Sequence, residues 1–281
     1  MTALLSLLAS LLWGGADFLG GKVSRRLAAY TVIGVSQAFS LLMLVPVAVA
    51  TGELDAARSY LGWGAAAGLV GLVALGAFYT GLADGTMGVV APIAATGVAL
   101  PVVVGLAAGD SPSSGQLLGL AAAVLGVLLS SGPELRSAGR PARRSMLLAG
   151  VAAVGFGSVI VLVAHGSRTS VVMTLLTMRA VTVGVLLALA GVRLRRPAVA
   201  RTDLPVLAAI GAGDVAANAC YAVASQTGLL SIVAVLASLY PAVTAVLAHQ
   251  LLGERLSRMQ TVGIVGALGG VALIAASGGT G

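Results

Sequence analysis

Hydrophobic residues fall into ten long runs separated by short polar stretches, at about 2–21, 28–51, 60–83, 87–108, 115–131, 146–165, 169–192, 204–227, 230–251 and 257–276. About 20 residues suffice for a helix to cross a bilayer, so the pattern predicts ten transmembrane helices. The first run has no basic start and nine more follow it. It therefore reads as a retained helix and not as a cleaved secretory signal.

The one sizeable polar stretch, SGPELRSAGRPARRS at 131–145, divides the runs into five and five. Moving the second half back by about 143 residues aligns it with the first. Trp13 and Gly14 fall on Phe156 and Gly157, Lys22 on His165, Ser24 on Ser167 and Arg25 on Arg168. A shift of 142 sets Tyr79 on Tyr221 and Gln37 on Arg179; one of 144 sets Gly109, Asp110, Gln116, Gly119 and Gly126 on Gly253, Glu254, Gln260, Gly263 and Gly270. The expected organisation is a first repeat at 1–131, a charged linker at 132–145 and a second repeat at 146–281.

A repeat of five crossings is odd, so the second copy must enter the membrane from the opposite face. The basic residues agree. Of 16 Lys and Arg, 13 lie between runs 1 and 2, 5 and 6, 7 and 8, and 9 and 10; the opposite loops hold only Arg58 and Arg168. By the positive-inside rule the richer face is cytoplasmic and both termini lie outside. The expected fold is an all-α membrane protein of ten transmembrane helices in two inverted five-helix repeats, in the cytoplasmic membrane. Inverted repeats suit transport, because two such copies can rock to expose one site to each side in turn.

Composition strengthens this picture: 58% of residues are hydrophobic and only 9% charged, and the mean hydropathy is +1.05. A soluble domain carries roughly a quarter charged residues. The net charge of +7 is a topology signal of the loops and does not point to nucleic acid. The single cysteine, Cys220, allows no internal disulfide.

Two stretches carry a family resemblance. LLASLLWGGADFLGGKVSRR opens the chain, and SIVAVLASLYPAVTAVLAHQLLGERLSRMQTVGIVGALGGVALI closes it, with GVVAPIAATGVALPVVVGLAAGDSPSSGQLLGLAAAVLGVLL as a degenerate earlier copy. The chain resembles the EamA-type members of the drug/metabolite transporter superfamily over its whole length. The resemblance implies ten helices in two inverted repeats and movement of small organic solutes, often outwards, across the cytoplasmic membrane. The first repeat departs from the pattern, with GDSPS where the second has GERLS. That turn has a local explanation as well, Ser257 capping the last helix with Glu254 near its positive end.

Charges inside a membrane carry functional weight, because each costs at least about 2.5 to 3.5 kcal/mol at a helix centre. Asp17, Arg179 and Asp214 are such groups, with Asp84, His165 and His249 nearer the ends of runs. Two readings stand: a structural ion pair of Arg179 with Asp214 or Asp17, or a lining of the solute path. Asn218 and Tyr221 follow Asp214 on one helical face, and Trp13 stands one turn before Asp17. The candidate substrate-binding residues are Trp13, Asp17, Gln37, Tyr79, Arg179, Asp214, Asn218, Tyr221 and Tyr240, with Asp17 and Asp214 as candidates for proton coupling. Tyr79, Tyr221 and Tyr240 also suit a plain core. Amino-acid-like or drug-like solutes fit such a mixture of charge and aromatic surface.

Pro92 and Pro101 in the fourth run and Pro241 in the ninth remove backbone donors at corresponding places of the two repeats, which marks helix breaks or gates. Gly115 with Gly119 and Gly266 with Gly270 suit close helix packing in lipid.

Other functions find less in the chain. Gly211 to Asp214 reads GAGD, the G-x-G-D pattern of intramembrane aspartyl proteases, with Asp17 as a conceivable second acid. With 39 glycines the match is weak, and the Tyr-Asp and Pro-Ala-Leu companions are absent. A non-transporting membrane scaffold is the other alternative. No HExxH, P-loop, CxxC or GxSxG motif is present, so the chain is expected to be no enzyme and to need no metal or cofactor. The expected partners are a small-molecule substrate and the lipid bilayer.

Overall fold

The computed structural model describes residues 1–85, 87–130, 140–193, 199–252 and 258–277. They are helical, with no strand among them. The first half contains α1 (Thr2–Ser24), α2 (Ala29–Thr51), α3 (Tyr60–Asp84), α4 (Met87–Ala95), α5 (Ala99–Ala107) and α6 (Ser114–Ser130). The second contains α7 (Arg140–Gly166), α8 (Val171–Arg193), α9 (Leu204–Thr227), α10 (Leu230–Ala237), α11 (Tyr240–Leu252) and α12 (Arg258–Ser277). The Glu254 and Ser257 turn lies outside the described residues. So does 131–139, most of the expected linker; α7 begins at Arg140, earlier than the expected start at 146.

Seven helical segments are long and apolar enough to cross a membrane: Thr2–Ser24, Ala29–Thr51, Tyr60–Asp84, Arg143–Gly166, Val171–Ala190, Arg201–Thr227 and Leu230–Leu252 taken through its break. At 1.5 Å per residue, a 23-residue helix spans about 35 Å, enough for the hydrocarbon core.

Two expected helices are each divided in two. The fourth run forms α4 and α5 joined by a 3-10 turn at Thr96–Val98, and the ninth forms α10 and α11, parted at Ser238 and Leu239. The prolines explain where the second pieces start. Pro101 is the third residue of α5 and Pro241 the second of α11, first-turn positions whose N–H groups have no intrahelical acceptor anyway. Pro46, well inside α2, leaves that helix unbroken, so proline alone does not cut a helix here.

The two halves interleave. α1 packs along α9, α3 along α7 and α8, α2 along α8 and α9, and α6 along α12. Missing side chains let the backbones close. A Cβ on Gly68 would lie 2.6 Å from the Met178 carbonyl oxygen, and one on Gly119 would lie 2.7 Å from that of Gly270. The first helix of each half also seats on the broken helix of the other. Gly14 of α1 lies against the carbonyl of Tyr240 and the side chain of Val243, while Gly157 of α7 lies against the carbonyl of Gly97 in the turn before α5. Thr244 Oγ1 fastens the first contact, 3.1 Å from both the Gly14 and Tyr240 carbonyl oxygens.

Polar ties fall into two sets. Thr2 and Thr227 hydroxyls meet at 3.0 Å, Ser59 and Thr169 at 2.7 Å, and Ser170 Oγ donates to Glu53. Asp110 Oδ2 accepts from the N–H and Oγ of Ser231, each at 2.8 Å, which caps the positive start of α10 with a carboxylate. Gly109, at φ 103°, turns the chain to aim Asp110 there, a backbone state glycine enters without strain. The second set joins Arg26 to Asp203 at 2.5 Å and Arg144 to Asp84 at 2.9 Å.

Candidate solute-binding cavity

A cavity lies between the halves, lined from α1, α2, α3, α7, α8, α9 and α11. It offers about 80 Å3 to the centres of water molecules, within about 650 Å3 of atom-free space that includes its open side.

Asp214 anchors the polar part. Its Oδ2 accepts from Gln37 Nε2 at 2.8 Å and lies 3.0 Å from Arg179 Nη2. Its Oδ1 accepts from Asn218 Nδ2 at 3.0 Å, and that amide also donates to the Asp214 carbonyl at 2.8 Å, one helical turn back. Arg179 Nη1 in turn donates to Gln37 Oε1 at 2.5 Å. Gln37 and Asn218 are buried and the Arg179 side chain is 3% exposed. Charges so far from water need such company, since each loses several kcal/mol of hydration on burial. Of the two pairings open in the sequence, Arg179 takes Asp214.

Asp17 stands apart. It is 7% exposed and lines the same cavity, yet among the described residues it has neither a hydrogen bond nor an ion pair. Two carboxylates and one guanidinium thus share the space, and the guanidinium is engaged by the other acid.

Aromatic rings form one wall. Trp13 lies 5.9 Å from Tyr221 in a tilted arrangement and 6.3 Å from Tyr240 edge to face. Phe156, the repeat counterpart of Trp13, lines the cavity as well and meets Phe78 edge to face at 5.3 Å.

Seven of the nine expected binding residues line this cavity: Trp13, Asp17, Gln37, Arg179, Asp214, Asn218 and Tyr240. Tyr221 sits behind Trp13 and donates from its hydroxyl to the Ile160 carbonyl at 3.1 Å, tying α9 to α7. Tyr79 is fully buried between α1 and α3, its hydroxyl filling the space that Gly20 leaves open. Pro101 is buried in α5 away from the lining, while Pro92 lies in α4 and Pro241 directly follows the lining residue Tyr240. Sequence reasoning missed the apolar lining, including Leu72, Phe156 and Ile160, and Thr182 beside it. The repeat held the signal: Phe156 matches Trp13, Ile160 matches Asp17, and Leu72 matches Asp214 at a shift of 142.

The GAGD segment has a packing explanation. Gly211 lets α9 close on the Ser36 carbonyl, and Ser40 Oγ donates to the Gly211 carbonyl at 2.7 Å. Gly213 faces Ala16 of α1. Asp214 has both oxygens occupied and shares no hydrogen bond with Asp17.

Fold and cavity together define a multi-pass membrane protein with a polar site buried between two halves. A model of the EamA-like transporter family matches residues 1–132 and 143–276, and the chain belongs to that family as two successive copies of its repeat. It is a membrane transporter of the drug/metabolite type. A solved structure described only as "Crystal structure of protein" superposes with a TM-score of 0.73 at 16% identity, covering 97% of this chain and 96% of that one. Among curated proteins none matches the chain.

Proposed function

We propose that this protein is a secondary transporter that moves small organic metabolites, amino-acid-like or drug-like, out across the cytoplasmic membrane by alternating access, with a proton as the coupling ion at Asp17 or Asp214. Transport uses ten crossings. The repeats run over 1–131 and 146–281 about the 132–145 linker, and both termini lie outside. The observation that carries the reading is the cavity, because its buried charged network joins Gln37 of the first half to Arg179, Asp214 and Asn218 of the second, at the seam where rocking would open it to either side. The nine expected residues bind or back the solute, and the breaks beside Pro92, Pro101 and Pro241 serve as gates.

The polar ties support the ten-crossing path. Thr2, Glu53, Ser59, Asp110, Thr169, Ser170, Thr227 and Ser231 lie in or next to segments that ten crossings put outside, and their side chains tie those segments to one another. Arg26, Asp84, Arg144 and Asp203 belong to the inside and do likewise.

Reconstituted protein tests the proposal. Vesicles preloaded with a candidate metabolite should take up its labelled form by exchange, and Asp214→Ala should remove the exchange. A purified protein that binds and moves none of a broad metabolite panel would return the scaffold alternative to first place.

A further inference from the structure

Three groups on the cavity wall lack hydrogen-bond partners among the described residues. Arg179 offers its Nε and Tyr240 its hydroxyl, and the Asp17 carboxyl lines the same cavity. All three residues are more than nine-tenths buried. Each buried polar group left unmade costs about 1–3 kcal/mol, so three of them around one cavity describe a ligand by its complement.

The charges decide which ligand. Arg179 is paired with Asp214 at 3.0 Å, which leaves the Asp17 carboxyl without a cationic partner among the described residues. A single positive charge closes the sum. A zwitterion would bring a carboxylate for which no free cation lines the cavity among the described residues, whereas the spare Nε–H of Arg179 suits a neutral acceptor oxygen. Trp13, one turn before Asp17, and the edge-to-face Tyr240 at 6.3 Å give an apolar body and its cation aromatic surface.

We propose that the cavity selects organic monocations: an amine with an apolar body and a neutral oxygen, its ammonium on Asp17 and its oxygen towards Arg179 and Tyr240. This assignment rests on the cavity being the solute site of the transporter. It separates amines and amino alcohols from free amino acids of the same shape.

Three ligands of one skeleton test it by calorimetry on the full chain in detergent at pH 7: phenylalaninol as cation, phenylalanine as zwitterion and N-acetylphenylalaninol as neutral form. The wild type should bind phenylalaninol about tenfold or more tightly than either other ligand. Asp17→Asn should erase that preference, and Asp17→Glu should keep it. Equal or tighter binding of phenylalanine, no binding of phenylalaninol at millimolar concentration, or a preference that survives in Asp17→Asn overturns the assignment. Vesicle flux separates it from the transporter reading. Cation-selective binding without flux sinks transport alone, and flux without charge preference sinks the cation alone.

Discussion

Gln37 and Arg179 occupy equivalent positions of the two repeats and meet each other, Arg179 Nη1 donating to Gln37 Oε1 at 2.5 Å. A twofold-related fold brings such pairs face to face at its axis. Here the pair is unlike, and the second copy's cation needs an acid that the first copy does not supply: Asp214, where the first copy has Leu72.

The first expectation concerns that ion pair. Asp214→Ala leaves a buried guanidinium without its counter-charge, which costs about 3–5 kcal/mol in buried pairs. Adding Arg179→Met to the same chain should recover most of the loss, since an apolar side chain fills the space without a charge to hydrate. Denaturant titration of the two single variants and the double variant in detergent measures the coupling. Purely additive losses would show that the pair does not act as a unit.

Neighbouring glycines of α1 should behave oppositely. A Cβ on Gly14 would lie 2.7 Å from the Tyr240 carbonyl oxygen and would run into Val243, while one on Gly15 meets nothing within 4 Å. Gly14→Ala should cost about 1–3 kcal/mol by overpacking. Gly15→Ala should be neutral or gain up to about 1 kcal/mol of helix propensity. Thermal unfolding of the two variants side by side reads the difference, and equal melting temperatures would remove Gly14 from the α1–α11 seat.

Sidedness is open to direct labelling. In a Cys220→Ala background, cysteines at 2, 59, 110 and 169 should react with a membrane-impermeant maleimide from outside, and those at 26, 84, 144 and 203 only after the membrane is opened. Ser59→Cys with Thr169→Cys should also cross-link, as their wild-type hydroxyls lie 2.7 Å apart. Labelling of positions 59 and 144 from one side would rule out the inverted arrangement.

Much of this was legible in the chain because membrane helices announce themselves by run length, and because the repeat registers one half against the other. Gln37 is an ordinary polar residue until the shift sets it on Arg179. Tyr79 shows the limit. It lies one helical turn beyond the lining residue Leu75, on the same stripe of α3, but Gly20 lets α1 close over it there and seals it from the cavity. Which turn of a stripe stays open depends on a partner helix, and periodicity carries no record of the partner. The partner of Arg179 is open in the sequence for the same reason, since both acids lie inside apolar runs and only the packing of α8 against α2 and α9 selects Asp214.

The two acids should separate in proton coupling. Asp214 is held by Gln37, Asn218 and Arg179, whereas Asp17 has no such ties among the described residues and is free to exchange what it holds. Under a gradient of one pH unit, each coupled proton is worth about 1.4 kcal/mol, or a tenfold accumulation ratio. The ratio, not the rate, is the informative quantity, because a weaker site slows flux without altering the equilibrium that coupling sets. In vesicles held at zero membrane potential and brought to steady state, Asp17→Asn should bring the ratio of a permanently charged solute such as the N-trimethyl derivative of phenylalaninol down to about one. A ratio equal to that of the wild type would mean that Asp17 carries no proton, and the coupling role would pass to Asp214.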